Sequence, residues 1–199
     1  VPGASADQAF FDYEASMAEA VSRLLQQGLT NIAFVMGGLH YRVGHARLLG
    51  ARLAYTRIGQ TFTEDRLLTI PQDSSTPEEV GRNVAAQIVA RGWQPDAIVC
   101  SSGLLAWTTY QALRQEGMDK TLRAVVAIAD EPIGDRQFQG IFSGYYRLFD
   151  DLGRVVADIL DQRLSGRAAP GVPLVTRVPC VPLAAAEAEK RFHWQQDNA

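Results

Sequence analysis

Two arginines and a few hydroxyl and carboxylate groups stand where short apolar runs give way to helix-forming sequence. Pro95-Asp96-Ala97-Ile98-Val99-Cys100 is followed by Ser101-Ser102-Gly103, and helix-forming residues continue to Gly117. This reads as a strand feeding a helix through a tight turn, and open α/β sheets bind ligands at such turns, beyond the carboxyl ends of their strands. The pattern recurs at residues 31–36, followed by Gly37-Gly38-Leu39-His40-Tyr41, and at residues 122–128, followed by Ala129-Asp130-Glu131-Pro132. The groups available there are Tyr41, the Arg47 guanidinium early in the next helix, the Ser102 hydroxyl and the Asp130 carboxylate. Tyr145-Tyr146-Arg147, ahead of another helical stretch, adds aromatic walls and a second guanidinium. A guanidinium fork suits sugar hydroxyls, carboxylates or phosphates, and paired glycines let backbone amides come close to a ligand. On sequence alone the plain readings stay open: a tight turn at Gly37-Gly38, caps at Ser102 and Asp130, solvated arginines, and tyrosines packed in the core.

Enzyme signatures are missing. Gly37-Gly38 with Gly44 does not make G-x-G-x-x-G, no phosphate-cradling G-x-x-x-x-G-K-[ST] occurs, and Ser101 and Ser102 lie outside any G-x-S-x-G. His40, His45 and His193 do not stand as a base beside a nucleophile. Cys100 and Cys180 lack metal-ligand spacing and sit in apolar runs, so they read as buried free thiols. The sequence describes a binder of small molecules rather than a catalyst, with no metal or cofactor expected.

The elements that must position these groups alternate between helix and strand. Helical periodicity covers residues 15–27, 43–58, 77–90 and 104–116, with glycine stops at Gly28, Gly59, Gly92 and Gly117. Ser75-Thr76-Pro77-Glu78-Glu79 is a strong helix start. Strands are expected at residues 31–36, 66–70, 97–100 and 122–128, with irregular sequence to about Gly144. A helix over 147–164, an extended segment over 172–181 broken at Pro179, and a terminal helix over 183–192 complete the pattern. Such alternation implies a parallel sheet with helices on both faces. Among 199 residues, 47% are apolar and 21% charged, as in ordinary globular proteins, and the formal net charge is −3, which argues against this chain gripping a nucleic-acid backbone. No run of 18 apolar residues suggests a membrane span.

The order of these blocks resembles the effector-binding region of the lactose/galactose repressor (LacI/GalR) family of bacterial transcription regulators. The carrying residues are 18–25, then Gly28-Leu29-Thr30-Asn31-Ile32-Ala33-Phe34, Gly37, Arg47-Leu48-Leu49-Gly50, Pro95-Asp96-Ala97-Ile98-Val99-Cys100 and Ala112-Leu113-Arg114-Gln115-Glu116-Gly117. The resemblance runs from about Asp12 to Arg177. It implies a periplasmic-binding-protein-like (type I) effector domain, in which a small molecule lies in a cleft between two α/β lobes. In such a dimer the effector changes the affinity of an N-terminal helix-turn-helix for operator DNA. By resemblance, Arg47 is the effector-binding arginine, Tyr41 lies in the loop before it, and Ser102 replaces the asparagine of an Asn-Asp pair. Ala129 and Asp130 replace paired aspartates, and Arg147 falls where a glutamine often lines the cleft.

Losing carboxylate and amide groups while holding two arginines shifts the expected effector toward an anion, such as a sugar phosphate or organic acid. The resemblance further implies a truncated region: a second lobe over about 15–131, segments returning toward the first lobe over about 144–182, and a helix and tail over 183–199. The headpiece and much of the first lobe are expected to be absent, so the apolar face of the 147–164 helix needs another partner. A cytoplasmic homodimer follows, with a periplasmic solute-binding protein as the alternative. The geometric expectation is that Tyr41, Arg47, Ser102 and Asp130 converge on one pocket.

Overall fold

The computed structural model describes residues 6–70, 76–129 and 141–184. Its larger layer is a six-stranded sheet of β2 (Ile32–Met36), β3 (Leu67–Thr69), β4 (Ala97–Cys100), β5 (Ala124–Ala129), β6 (Phe142–Tyr146) and β8 (Val181–Ala184). The spatial order is β3-β2-β4-β5-β6-β8. Neighbours pair in parallel except β8, which runs antiparallel to β6 at the edge. Strands β2 and β4 are buried at every position, as a central parallel strand covered on both faces requires.

Successive strand residues point to opposite faces, and each face has its own core. On one side α1 (Tyr13–Gln26) and α2 (Arg42–Arg57) place Met17, Val21, Leu24 and Tyr55 against Phe34, Val99, Val126 and Tyr145. On the other, α3 (Pro77–Ala90) and α4 (Gly103–Gln115) place Val84, Ile88 and Leu113 against Val35, Ile98, Cys100 and Ala127. Helix starts are written in local chemistry. Asp12 caps α1 by accepting from the Ala15 amide at 3.0 Å, and Thr76 and Glu79 form a reciprocal capping box at α3. Gly50 permits the tight crossing of α1 and α2, since a Cβ there would lie 2.2 Å from the Glu14 carbonyl oxygen.

A second, two-stranded parallel sheet pairs β1 (Gln8–Phe11) with β7 (Val175–Val178). Helix α5 (Phe149–Leu164) packs on both strands, which covers part of its apolar face. Ile159 is buried, and Leu152 and Val155 pack against the core, while Val156 and Leu160 on the same helix remain exposed. Arg163 fastens this unit by gripping Asp7 with two hydrogen bonds of 2.6 and 2.8 Å.

Several elements differ from the sequence reading. β1 was not expected. β6 begins within the stretch read as irregular to Gly144 and runs on to Tyr146. The helix expected from Arg147 begins at Phe149, because the chain stays extended at Leu148 (φ −89°, ψ 99°) as it leaves the sheet. The extended segment over 172–181 divides around Pro179 into β7 and β8, which belong to different sheets. Leu183 and Ala184 belong to β8 rather than to a terminal helix, and the rest of that expected helix lies outside the described residues.

Candidate functional site

Among the described residues three chain crossings run between the two sheets: Asp12 between β1 and α1, Arg147-Leu148 between β6 and α5, and Pro179-Cys180 between β7 and β8. The side chains they carry gather around Tyr13, the first residue of α1. Arg147 donates from Nη1 to the Tyr13 hydroxyl at 2.8 Å. Its guanidinium carbon lies 4.9 Å from the Phe149 ring centroid and 5.7 Å from that of Phe11. Arg47, reaching from α2, places its guanidinium carbon 4.4 Å from the centre of the Tyr13 ring. Two cations therefore address one aromatic residue, one through its π face and the other through its oxygen. The Phe11 and Phe149 rings meet edge-on at 5.5 Å and form the apolar wall behind Arg147.

Buried Cys180 lies within the field of both guanidinia. Burial pushes its thiol up, while Ser16, Arg147 and Arg47 act in the opposite direction. Asp12 is engaged at several atoms. It caps α1, its backbone carbonyl accepts from the Ser16 hydroxyl at 2.6 Å, and its carboxylate faces Arg177 at 3.5 Å. Tyr13 and Phe11 also line a cavity of about 670 Å³ between β1 and α2, together with Phe10, Asp12, Arg42 and Arg177. This size falls within the range of small-molecule sites. Arg42 sits 5.2 Å from the Phe10 ring centroid and bridges α2 to β1 across it.

Of the residues singled out in the sequence, Arg47 and Arg147 are brought together. Tyr41 is the N-cap residue of α2, lies tilted against His40 with ring centroids 4.1 Å apart, and is 65% exposed, so it stands in solvent rather than in the Tyr13 cluster. The Ser102 hydroxyl is taken by the Leu105 amide at 3.2 Å as the cap of α4. Its neighbour Ser101 makes the link between strand ends, accepting from the Gly37 amide at 3.2 Å. Asp130 lies outside the described residues. The structure brings Arg47 and Arg147 together on Tyr13, leaves Tyr41 exposed and engages Ser102 as a cap, and the expected convergence with Asp130 lies outside the described residues. Sequence reasoning missed Phe11, Tyr13, Phe149 and Cys180. The available signal was the run Phe10-Phe11-Asp12-Tyr13, an aromatic cluster around a capping aspartate. Among the described residues no group of three or more His, Cys, Asp or Glu could hold a metal ion.

A family model for the periplasmic-binding-protein-like domain matches residues 21–182. The chain belongs to that family. Solved structures sharing the fold of this periplasmic-binding-protein-like domain include a CelR transcriptional regulator–cellobiose complex, with TM-score 0.72 and 21% identity over 92% of this chain and 54% of that one. The Escherichia coli transcriptional repressor ascG follows, with TM-score 0.69 and 19% identity over 87% of this chain and 60% of that one. A LacI family transcriptional regulator from Enterococcus faecium with bound ribose gives TM-score 0.66 and 18% identity over 89% of this chain and 63% of that one. The chain therefore spans little more than half the length of these neighbours. No curated protein matches it in sequence. No described helix is long and apolar enough to cross a membrane.

Proposed function

We propose that this chain is the effector-sensing region of a LacI-type transcription regulator, and that its effector is a small hydroxylated anion such as a sugar phosphate or organic acid. The observation that carries the reading is the convergence of the Arg47 and Arg147 guanidinia on Tyr13 at the crossings between the two sheets. Arg47 and Tyr13 come from α2 and α1 in the large sheet's helix layer, whereas Arg147 belongs to a crossing. An anion bridging the two guanidinia ties these parts together, and it shifts the equilibrium between arrangements of the sheets only so far as it favours one of them. Coupling of this kind is worth about 1–3 kcal/mol. A homodimer with a DNA-binding headpiece reads out the shift, and both are part of this proposal.

The neighbours hold cellobiose and ribose, which are neutral. Ser102 and Ala129 here replace amide and carboxylate groups that the resemblance assigns to neutral sugars, and that supports the anionic class. Calorimetric titration with paired ligands, ribose against ribose 5-phosphate and glucose against glucose 6-phosphate, tests the reading. Measurable binding of a phosphorylated member with none of its neutral partner is the expected result. Tight binding of neutral sugars alone contradicts it.

A further inference from the structure

The cavity of about 670 Å³ between β1 and α2 shares part of its wall with the arginine cluster. Phe11 and Tyr13 line it, and the same two rings meet the Arg147 and Arg47 guanidinia. Two elements set its character. Strand β1 and the start of α1 supply the residues Phe10, Phe11 and Tyr13 on one side. Helix α2 supplies Val43, Ala46 and Leu49 on the other, spaced three residues apart and so on successive turns. Val43 is 40% exposed and Leu49 52% exposed, which leaves apolar surface there to be covered.

The charged groups around the opening are engaged within the protein. Two hydrogen bonds from Arg163 hold Asp7. Asp12 caps α1 and faces Arg177. Glu14 lies in the first turn of α1, where the positive end of the helix dipole offsets a carboxylate. The Arg42 guanidinium lies against the Phe10 ring. A group seated between these walls therefore meets rings and aliphatic side chains rather than a spare ion. Val43, Ala46 and Leu49 carry no side-chain donor or acceptor, so the α2 wall gives the hydroxyls of a second sugar ring nothing to bond. A flat apolar ring loses nothing there, and it gains contact with the exposed aliphatic groups.

Resting on the effector reading above, we propose that the effector is an anion that carries an aryl group. Its anionic end bridges Arg47 and Arg147, and its ring enters the cavity past Tyr13 to cover Val43 and Leu49. Tyr13 then belongs to both halves of the site, holding the arginines and walling the aryl slot. The arginine pair selects for charge, and the α2 wall selects for the apolar ring.

Calorimetric titration of residues 1–199 with glucose 6-phosphate, phenyl β-glucoside 6-phosphate and the neutral phenyl β-glucoside tests this. The phenyl phosphate is expected to bind about 10- to 100-fold more tightly than glucose 6-phosphate, the gain of burying one ring. The methyl resonances of Val43 and Leu49 are expected to shift with the phenyl phosphate and to stay in place with glucose 6-phosphate. The double variant Val43→Thr with Leu49→Gln is expected to lose most of the gain while binding glucose 6-phosphate as before. Equal affinity for the two phosphates overturns the inference and leaves the anionic effector standing. A gain that persists in the double variant also overturns it, because the ring then lies elsewhere. A neutral phenyl glucoside that binds as tightly as its phosphate overturns the anionic reading and this inference together, as does failure of both phosphates to bind.

Discussion

Tyr13 joins the two arginines by different means, and substitutions at the three residues separate them. Tyr13→Phe keeps the ring that faces Arg47 and removes the oxygen that anchors Arg147. Hydrogen bonds to charged groups are worth about 1.5–3 kcal/mol, so Y13F is expected to weaken effector binding about tenfold through loss of Arg147 positioning. Arg147→Ala and Arg47→Ala are each expected to weaken it about 10- to 100-fold while leaving the fold intact; calorimetry for affinity and circular dichroism for folding check both. The two arginines stand out in the sequence by type and by their place near helix starts, and the structure sets both against Tyr13. Tyr13 does not stand out there, because its role depends on a partner 134 residues away, which no local periodicity reports. Tyr41 had the right type and the right turn, but it lies tilted against the neighbouring His40 ring and faces solvent.

The small sheet depends on the Asp7–Arg163 grip. The hydrogen bonds from Arg163, then that from the Leu174 amide, hold the Asp7 carboxyl at about 2 against an ordinary 3.8. A carboxylate whose pKa is lowered by folding contributes stability that is complete above its ordinary value and is lost as pH falls through its folded value. Acidification from pH 4 to pH 2 is therefore expected to speed hydrogen exchange in β1, β7 and α5 ahead of the large sheet. Asp7→Asn is expected to remove that pH step and to leave exchange already fast at pH 5. Within the large layer, Gly50→Ala drives a methyl group into the Glu14 carbonyl. Overpacking of this kind costs about 1–3 kcal/mol, and a fall in melting temperature of about 3–10 °C by calorimetry is expected.

At this scale the central strands and helices could be read directly. Buried runs such as Ile32-Ala33-Phe34-Val35-Met36 and capped helices such as α3 carry their own signals. β6 and β1 escaped notice for physical reasons. Phe142-Ser143-Gly144-Tyr145-Tyr146 is interrupted by small residues, and Gly144 is there because the Tyr146 ring lies over it, 2.7 Å from where a Cβ would sit. Gln8-Ala9-Phe10-Phe11 pairs with a single neighbour and is only partly buried through Phe10.

At the scale of the molecule, a layered α/β domain meets a small sheet through three crossings among the described residues, and the cluster beside them sets two guanidinia against aromatic walls. Fold class was legible from strand–helix alternation, and the family resemblance from the order of several weak blocks. The point where the sheets meet was only half legible, because β1 and β7 are separated by most of the chain and no local periodicity reports their pairing. A ligand at that junction is positioned to govern how the two sheets sit, whereas one bound elsewhere on the large sheet is not. Effector binding is accordingly expected to slow hydrogen exchange in β1 and β7 as well as at Arg47, a pattern that ligand stabilisation of the large sheet alone does not produce.

The central claim is that both guanidinia touch the effector, and the side-chain Nε–Hε resonances of Arg47 and Arg147 report on it directly. In a nitrogen-15 titration with the sugar phosphate that binds most tightly by calorimetry, both resonances are predicted to shift along one saturation curve with the calorimetric midpoint. Saturation of the protein while both remain unmoved would contradict the account.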